Sequence, residues 1–207
     1  MINKESQLLN IFAKEPWRKF TFTGLKQISK KKSKSYIDLV LKKFQEEGIL
    51  KQEKVGHLPV YSLDLSSPKA RAFAGFSLEY ESWRKKNMPY KDLQKLMDSL
   101  NVSNYIFLIA GSYANSTQKK DSDIDVVIIV DDSLEPKKVY ANLSHICELN
   151  IPPIHLYAFR NKEFVEMLCN KDFNYGKEIS RNNLILSSGQ AYLKLIKEAI
   201  DHGFRGE

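Results

Sequence analysis

The 207-residue sequence has no apolar run approaching the roughly 20 residues that a membrane-spanning helix requires; its longest candidate is Val126–Val130. Its first residues, Met1-Ile-Asn-Lys-Glu-Ser6, hold no apolar signal-peptide segment. Cysteine is scarce. Cys147 and Cys169 stand alone in amphipathic contexts, with no CxxC pair and no histidine at zinc spacing. A disulfide framework and a structural zinc site are therefore excluded, and both thiols are expected to be free and buried. No internal repeat and no low-complexity tract appears beyond one short lysine run. These absences lead to the expectation of a soluble, cytoplasmic protein with no membrane partner.

What is present is an ordinary globular mixture, 43% hydrophobic and 28% charged, which argues against wholesale disorder. A chain of this length buries about 70% of its unfolded surface and needs no covalent staple. The net charge of +7 is unevenly spread. Residues 1–66 hold 13 Lys and Arg against 7 Asp and Glu, a net of +6; residues 67–103 add +3; residues 104–207 carry −2. A basic front and a mildly acidic back point to parts with different partners.

Leu8, Leu9, Ile11 and Phe12 predict a short amphipathic helix that Pro16 stops, and Thr23 is the expected cap of a second helix running to Ile28. The run Ser29-Lys-Lys-Lys-Ser-Lys-Ser-Tyr36 leads into Ile37, Val40, Leu41 and Phe44, a one-faced helix that ends before Gly48. Ile49–Val55 and Val60–Leu65 read as a hairpin joined by Gly56-His57-Leu58-Pro59. This order over residues 1–66 resembles a winged helix-turn-helix domain. The resemblance implies that the helix from about Ser33 to Glu47 enters the major groove of duplex DNA. Lys30, Lys31, Lys32 and Lys34 would meet phosphates, and Ser33, Ser35 and Tyr36 would reach phosphate oxygens or base edges. Phosphate neutralisation would supply most of the affinity. The competing reading is a winged helix used for protein contacts, its lysines a solvated face. Trp17 and Tyr61 are expected in the core or at its rim.

Ser66-Ser67-Pro68 marks a break, with Ser67 as cap and Pro68 in the first turn of a helix. Lys69–Lys86 and the stripe Leu93, Leu96, Met97, Leu100 predict two linker helices across residues 67–103. They would pack on the following domain or form a homodimer interface. Phe73, Phe76 and Tyr80 are expected in the core.

Residues 104–207 carry the chemical signal. Tyr105–Ala110 is an apolar strand that runs into Gly111-Ser112, and Val126–Val130 is a second buried strand behind Asp123-Ile-Asp125. Asp123 and Asp125 stand two apart on the expected strand, so both carboxylates would share one face. Two hard oxygen ligands suit Mg²⁺ together with substrate phosphates. Gly111 permits a close backbone turn whose N–H groups, with the Ser112 hydroxyl, would hold phosphate oxygens.

Gly111-Ser112, ten residues (Tyr113–Ser122), then Asp123-Ile-Asp125, resembles the signature of the DNA polymerase β-type nucleotidyltransferases, and within them the minimal branch. Ala114 and Ser122 also suit that pattern. The resemblance implies an α/β (α+β) fold with a mixed sheet and flanking helices. It implies transfer of a nucleoside monophosphate, most simply AMP from ATP, to an acceptor hydroxyl. Asp123 and Asp125 would be catalytic and hold Mg²⁺ or Mn²⁺, with Gly111, Ser112 and Ser122 binding the nucleotide. Two departures stand out. Many members have Gly where Ser116 stands. The third carboxylate expected on the next core strand, Pro153–Ala158, falls on or near His155, which is either a third site member or an ordinary strand histidine. Imidazole binds Mg²⁺ poorly; Glu148 or Asp131 could substitute from a loop. Helices over Asn161–Asn170, Asp172–Ser180 and Ala191–His202 and a strand over Asn183–Leu186 complete the expected core, with no further substrate-binding domain.

Two functions remain in view. One is a metal-dependent nucleotidyltransferase fused to a DNA-binding winged helix, with an antitoxin-type or regulatory role and acceptors that in the family include a HEPN-type toxin, small molecules and nucleic acids. The other is a DNA-binding regulator whose nucleotidyltransferase fold is catalytically weakened.

Overall fold

A computed structural model describes residues 5–29 and 33–206. Lys30, Lys31 and Lys32, expected to meet DNA, lie outside the described residues. The chain opens with α1 (Glu5–Lys14), β1 (Phe20–Thr21), α2 (Phe22–Ile28) and α3 (Lys34–Glu46), followed by β2 (Leu50–Val55) and β3 (Leu58–Leu63). These strands form a small antiparallel sheet of order β1-β3-β2. Ser33 caps α3 by accepting a hydrogen bond from the Tyr36 N–H at 3.2 Å. Ile37, Val40, Leu41 and Phe44 of α3 are buried, as their helical spacing predicts.

Two local expectations need correction. The cap of α2 is Thr21, not Thr23: its hydroxyl accepts from the Gly24 N–H at 3.1 Å. Phe20 and Thr21 pair with Tyr61 and Val60, so the strand ends and the helix begins two residues early. The hairpin turn is also tighter than its sequence reads. Val55 pairs with Leu58, leaving Gly56-His57 as the whole turn and placing Leu58 and Pro59 inside β3. Gly56 has φ of +60°, which suits a two-residue turn.

α4 (Pro68–Ser82) is capped by Ser67, which accepts from the Ala70 N–H, with Pro68 in the first turn. α5 (Tyr90–Asp98) follows. The larger sheet contains β4 (Tyr105–Ile109), β5 (Ile124–Val130), β6 (Ile154–Arg160) and β7 (Leu184–Ser187) in the order β6-β5-β4-β7. β5 and β6 are parallel, joined through α7 (Pro136–Leu149), and the other pairs are antiparallel. The short α6 (Gly111–Asn115) follows β4, while α8 (Asn161–Cys169), α9 (Tyr175–Arg181) and α10 (Gly189–Asp201) flank β7 in sequence. This is the mixed α/β architecture expected, a mixed sheet with helices on both faces.

The sheet alternates its side chains between two cores. Phe107, Ile109, Val126, Ile128 and Val130 pack with Leu93 and Leu96 of α5 and Val139 and Leu143 of α7. Ile106, Leu108, Val127 and Ile129 join α8, α9 and α10. That second core continues without a break into Leu8 and Phe12 of α1 and Leu41 of α3.

α4 is the element that links the two sheets. A Cβ on Gly75 would lie 2.3 Å from the Gln190 N and 2.5 Å from the Gly189 carbonyl carbon, so the backbones of α4 and α10 touch. Glu79 accepts from the Gly189 N–H at the start of α10, and the Trp83 indole donates to the Leu186 carbonyl at 2.9 Å. Ala70, Ala74 and Leu78 are buried, whereas Phe73 and Phe76 are 53% and 57% exposed. The expectation that these two phenylalanines lie in the core is therefore overturned. Small residues take the inward face because the close approach leaves no room for rings. Of the thiols, Cys147 is buried, as expected, and burial pushes it up to about 11. Cys169 is only half-buried. Among the described residues, no helix is long and apolar enough to cross a membrane.

Candidate active site

The site forms where β4 ends and β5 and β6 begin. Ala110 N–H donates to the Asp125 carbonyl at 2.9 Å, tying the end of β4 to the start of β5. Asp125 is the second residue of β5 and pairs in register with His155 on β6. Asp123 precedes the strand instead of lying within it, a small correction to the expected pair of strand residues. Pairing of Ile124 with Ile154 begins one residue later.

Gly111 is placed by what it lacks. It has φ of +61°, and a Cβ there would come within 2.0 Å of the Asp125 Oδ2. Any larger residue would displace the carboxylate and cost strain in the left-handed region. Ser112 follows in α6, half-buried; its carbonyl accepts from the Thr117 N–H at 2.9 Å. Ser116 closes α6 at φ of +58°, a left-handed conformation that glycine adopts with less strain. The Ser122 hydroxyl accepts from the Lys119 N–H at 2.8 Å and closes the loop before the aspartates.

His155 lies between the two carboxylates. Its Nε2 is 3.4 Å from Asp123 Oδ2 and its Nδ1 is 3.8 Å from Asp125 Oδ1, contacts longer than good hydrogen bonds. Asp131 lies beyond the opposite end of β5, about 20 Å away along the strand, and holds Ser133 instead. Glu148 sits near the end of α7 and is exposed.

A further carboxylate, which no motif indicated, approaches from the helical layer. Tyr157 shares the His155 face of β6, and its ring lies 4.6 Å from that of Tyr175 in α9. Glu178 is one turn along α9 from Tyr175 and is close enough to act on Asp125 through space. Burial, foremost, raises the Asp125 carboxyl above its ordinary range. His155 acts in the opposite direction, and the charges of Asp123 and Glu178 add to the rise. Burial also raises the Tyr175 hydroxyl strongly, so it remains a protonated donor.

The donor set fits Mg²⁺ held jointly with substrate phosphates. Asp123 and Asp125 supply hard oxygens, and the missing Gly111 side chain leaves one face of the Asp125 carboxylate open. Among the described residues, no group of three or more His, Cys, Asp and Glu side chains forms a complete metal cage. Substrate oxygens and water would therefore have to complete the shell.

Residues 91–179 match the family model of the nucleotidyltransferase domain. The match supports the polymerase β-type superfamily for this segment, and with it nucleotidyl transfer from a nucleoside triphosphate. The matched segment begins in α5 and ends within α9, so it contains Gly111, Asp123, Asp125, His155 and Glu178. No curated protein and no solved structure matches the chain. Domains of this family generally use divalent metals, in agreement with the aspartate chemistry.

The raised Asp125 carboxyl has a consequence for stability. The folded chain holds this proton more tightly than the unfolded chain, so ionised Asp125 opposes folding. Its favourable contribution is complete below the unfolded carboxylate range and is lost as pH rises through the raised one. Asp125→Asn is therefore expected to raise the melting temperature at neutral pH. The gain should shrink toward zero as pH falls below about 3.9, the ordinary aspartate value. Thermal unfolding of both proteins across pH checks this; a gain that grows on acidification would contradict it.

Proposed function

We propose that the chain transfers AMP from ATP to an acceptor hydroxyl, with Mg²⁺ or Mn²⁺ as cofactor. The observation that carries this reading is the Asp125 carboxylate seated against the bare Gly111 Cα, with Asp123 beside it. In this reading Asp123 and Asp125 hold the metal, which when bound would neutralise charge on the phosphates and the departing pyrophosphate. Gly111 lets the triphosphate approach the backbone, and the Ser112 hydroxyl orients its oxygens. The partly buried setting strengthens these interactions relative to water. His155 occupies the third side and takes or gives a hydrogen bond at the acceptor, while Glu178 supplies the remaining negative charge from α9.

A second reading draws on one observation, the imidazole in place of a third acid on β6. It makes the chain a nucleotide-binding regulator with weakened catalysis. In both readings residues 1–66 act as a winged helix on duplex DNA. The succession α1, β1, α2, α3 and a hairpin supports this, as does the exposed start of α3 at Lys34 and Ser35. Ser33 and Tyr36 are less available: one caps α3 and the other is half-buried. An antitoxin-type role would make a HEPN-type toxin the acceptor, and a homodimer would use the exposed phenylalanines of α4. Residues 67–103 would join the two parts.

The deciding experiment incubates the full chain with α-phosphate-labelled nucleoside triphosphates, Mg²⁺ and a panel of protein, small-molecule and nucleic-acid acceptors. Covalent label transfer is the expected outcome. Retention of nucleotide without transfer would favour the regulator, and absence of both would defeat the two readings together.

A further inference from the structure

The region between α1, α4, α6 and α9 holds a second concentration of charge, separate from the aspartates. A cavity of about 550 Å³ is lined by Lys14, Arg84, Lys85 and Arg181, with Glu81 the acid among its lining residues. It adjoins a second cavity of about 710 Å³, which shares Lys14, Glu81 and Arg181 and adds Arg18. The shared side chains place the two side by side, as one cationic cleft with two recesses.

Three observations show that this positive charge is unbalanced. Glu81 lies 3.6 Å from Arg84, and Glu15 pairs with Arg18 at 2.7 Å, so the acids present are already engaged. Among the described residues, neither Lys14 nor Lys85 has a carboxylate partner within ion-pair distance. Lys85 donates to the Ala114 carbonyl, which fixes its ammonium at the end of α6. Burial, and then the charge of Lys14, lower the pKa of Lys85, as expected for two cations that face one space without an anion. Recognition groups are also free. Asn115 and Asn182 line the first cavity, and their side-chain amides have no hydrogen-bond partner among the described residues. Asn10, 7% exposed, is among the residues lining the second cavity, and its Oδ1, itself buried, has no hydrogen-bond donor among the described residues. A buried acceptor left in this state is costly unless a ligand satisfies it.

We propose that this cleft binds the phosphate backbone of a single-stranded nucleic acid. Two adjoining cavities with spread cations suit successive phosphates, where one mononucleotide would occupy a single cavity. The cations line a recess, which admits one backbone more readily than the two strands of a duplex. The free amides suit sugar hydroxyls and base edges. The cleft lies on the β7 side of the candidate active site. Leu184 pairs with Ile109 on one side of β4, and Val126 pairs with Ile109 on the other. The backbones of Leu184, which lines the cleft, and Val126, next to Asp125, are thus about 10 Å apart, two strand spacings. The binding itself does not depend on nucleotidyl transfer.

The test is fluorescence anisotropy with the full chain and a labelled 12-nucleotide single strand, without nucleotide, across a salt series. Lys14→Gln removes a side chain with no hydrogen-bond or ion-pair partner among the described residues, so it should leave the fold intact. It is expected to weaken binding about 3- to 10-fold and to reduce the salt slope by about 0.7. Lys14→Gln, Lys85→Gln and Arg181→Gln together should weaken binding more than 10-fold and reduce the slope by about 2. A folded Lys14→Gln variant with unchanged affinity and slope would overturn the proposal. So would inorganic tripolyphosphate binding as tightly as the strand, since that indicates a small-anion site. A parallel series with a duplex probe and Lys34→Gln tests the α3 surface. Loss of single-strand binding through Lys34 alone would move the site to α3 and refute the cleft.

Discussion

Replacing both Asp123 and Asp125 by alanine is expected to reduce label transfer from an α-labelled nucleoside triphosphate by at least about 10³-fold, or about 4 kcal/mol of transition-state stabilisation. Beyond Asp125, β5 itself carries no carboxylate. Asp131 lies beyond the far end of β5, and Glu178 comes from a different layer. Removing both would leave His155 facing the phosphates with no hard oxygen beside it, and nucleotide retention with Mg²⁺ should be lost as well. The fold should survive, because burial already disfavours the ionised Asp125. Circular dichroism would establish folding, and equilibrium binding of labelled nucleotide would measure the loss. A folded double variant with unchanged nucleotide affinity would show that the triphosphate binds elsewhere.

The second large effect concerns the fold. Gly75→Ala is expected to destabilise the chain by about 3 kcal/mol, lowering the melting temperature by about 6–12 °C. The new methyl would meet main-chain atoms of Gly189 and Gln190, which cannot rotate aside as a side chain could. Separating α4 from α10 would also strain the Glu79 contact to the Gly189 N–H and the Trp83 contact to the Leu186 carbonyl. The loss should be cooperative, because α4 touches α1, α10 and β7 together. Thermal unfolding measures it. A shift of less than about 2 °C would mean that the two helices do not meet as closely as described.

Much of the site was legible because its parts are close in sequence. Gly111, Ser112, Asp123 and Asp125 fall within 15 residues, and the strands on either side are strongly apolar. His155 was expected near the site because the resemblance puts a third site residue on the next core strand; its pairing with Asp125 came from the structure. Glu178 could not. It stands 53 residues beyond Asp125, and it comes near Asp125 through α9, whose Tyr175 packs on Tyr157 of β6.

The helix ends show the same division. Periodicity placed α3 almost to the residue, since Ile37, Val40, Leu41 and Phe44 define a single face. The start of α2 was misplaced at Thr23 because strand pairing of Phe20 and Thr21 with β3 is a long-range effect. α4 was harder still. Its apolar residues surround the helix, so Phe73 and Phe76 resembled core residues as much as Ala70 and Ala74 did. Only the backbone contact at Gly75 decides which side faces inward.

By itself, then, the order of residues determined the mixed α/β class, the aspartate pair and the close Gly-Ser turn. These depend on local spacing, side-chain chemistry and the apolarity of single strands. Tertiary structure alone brought Glu178 toward Asp125, turned the phenylalanines of α4 outward and gathered Lys14, Lys85 and Arg181 around one cleft. Those arrangements depend on packing between distant segments. Packing answers to shape and volume across the whole core, which no local pattern encodes.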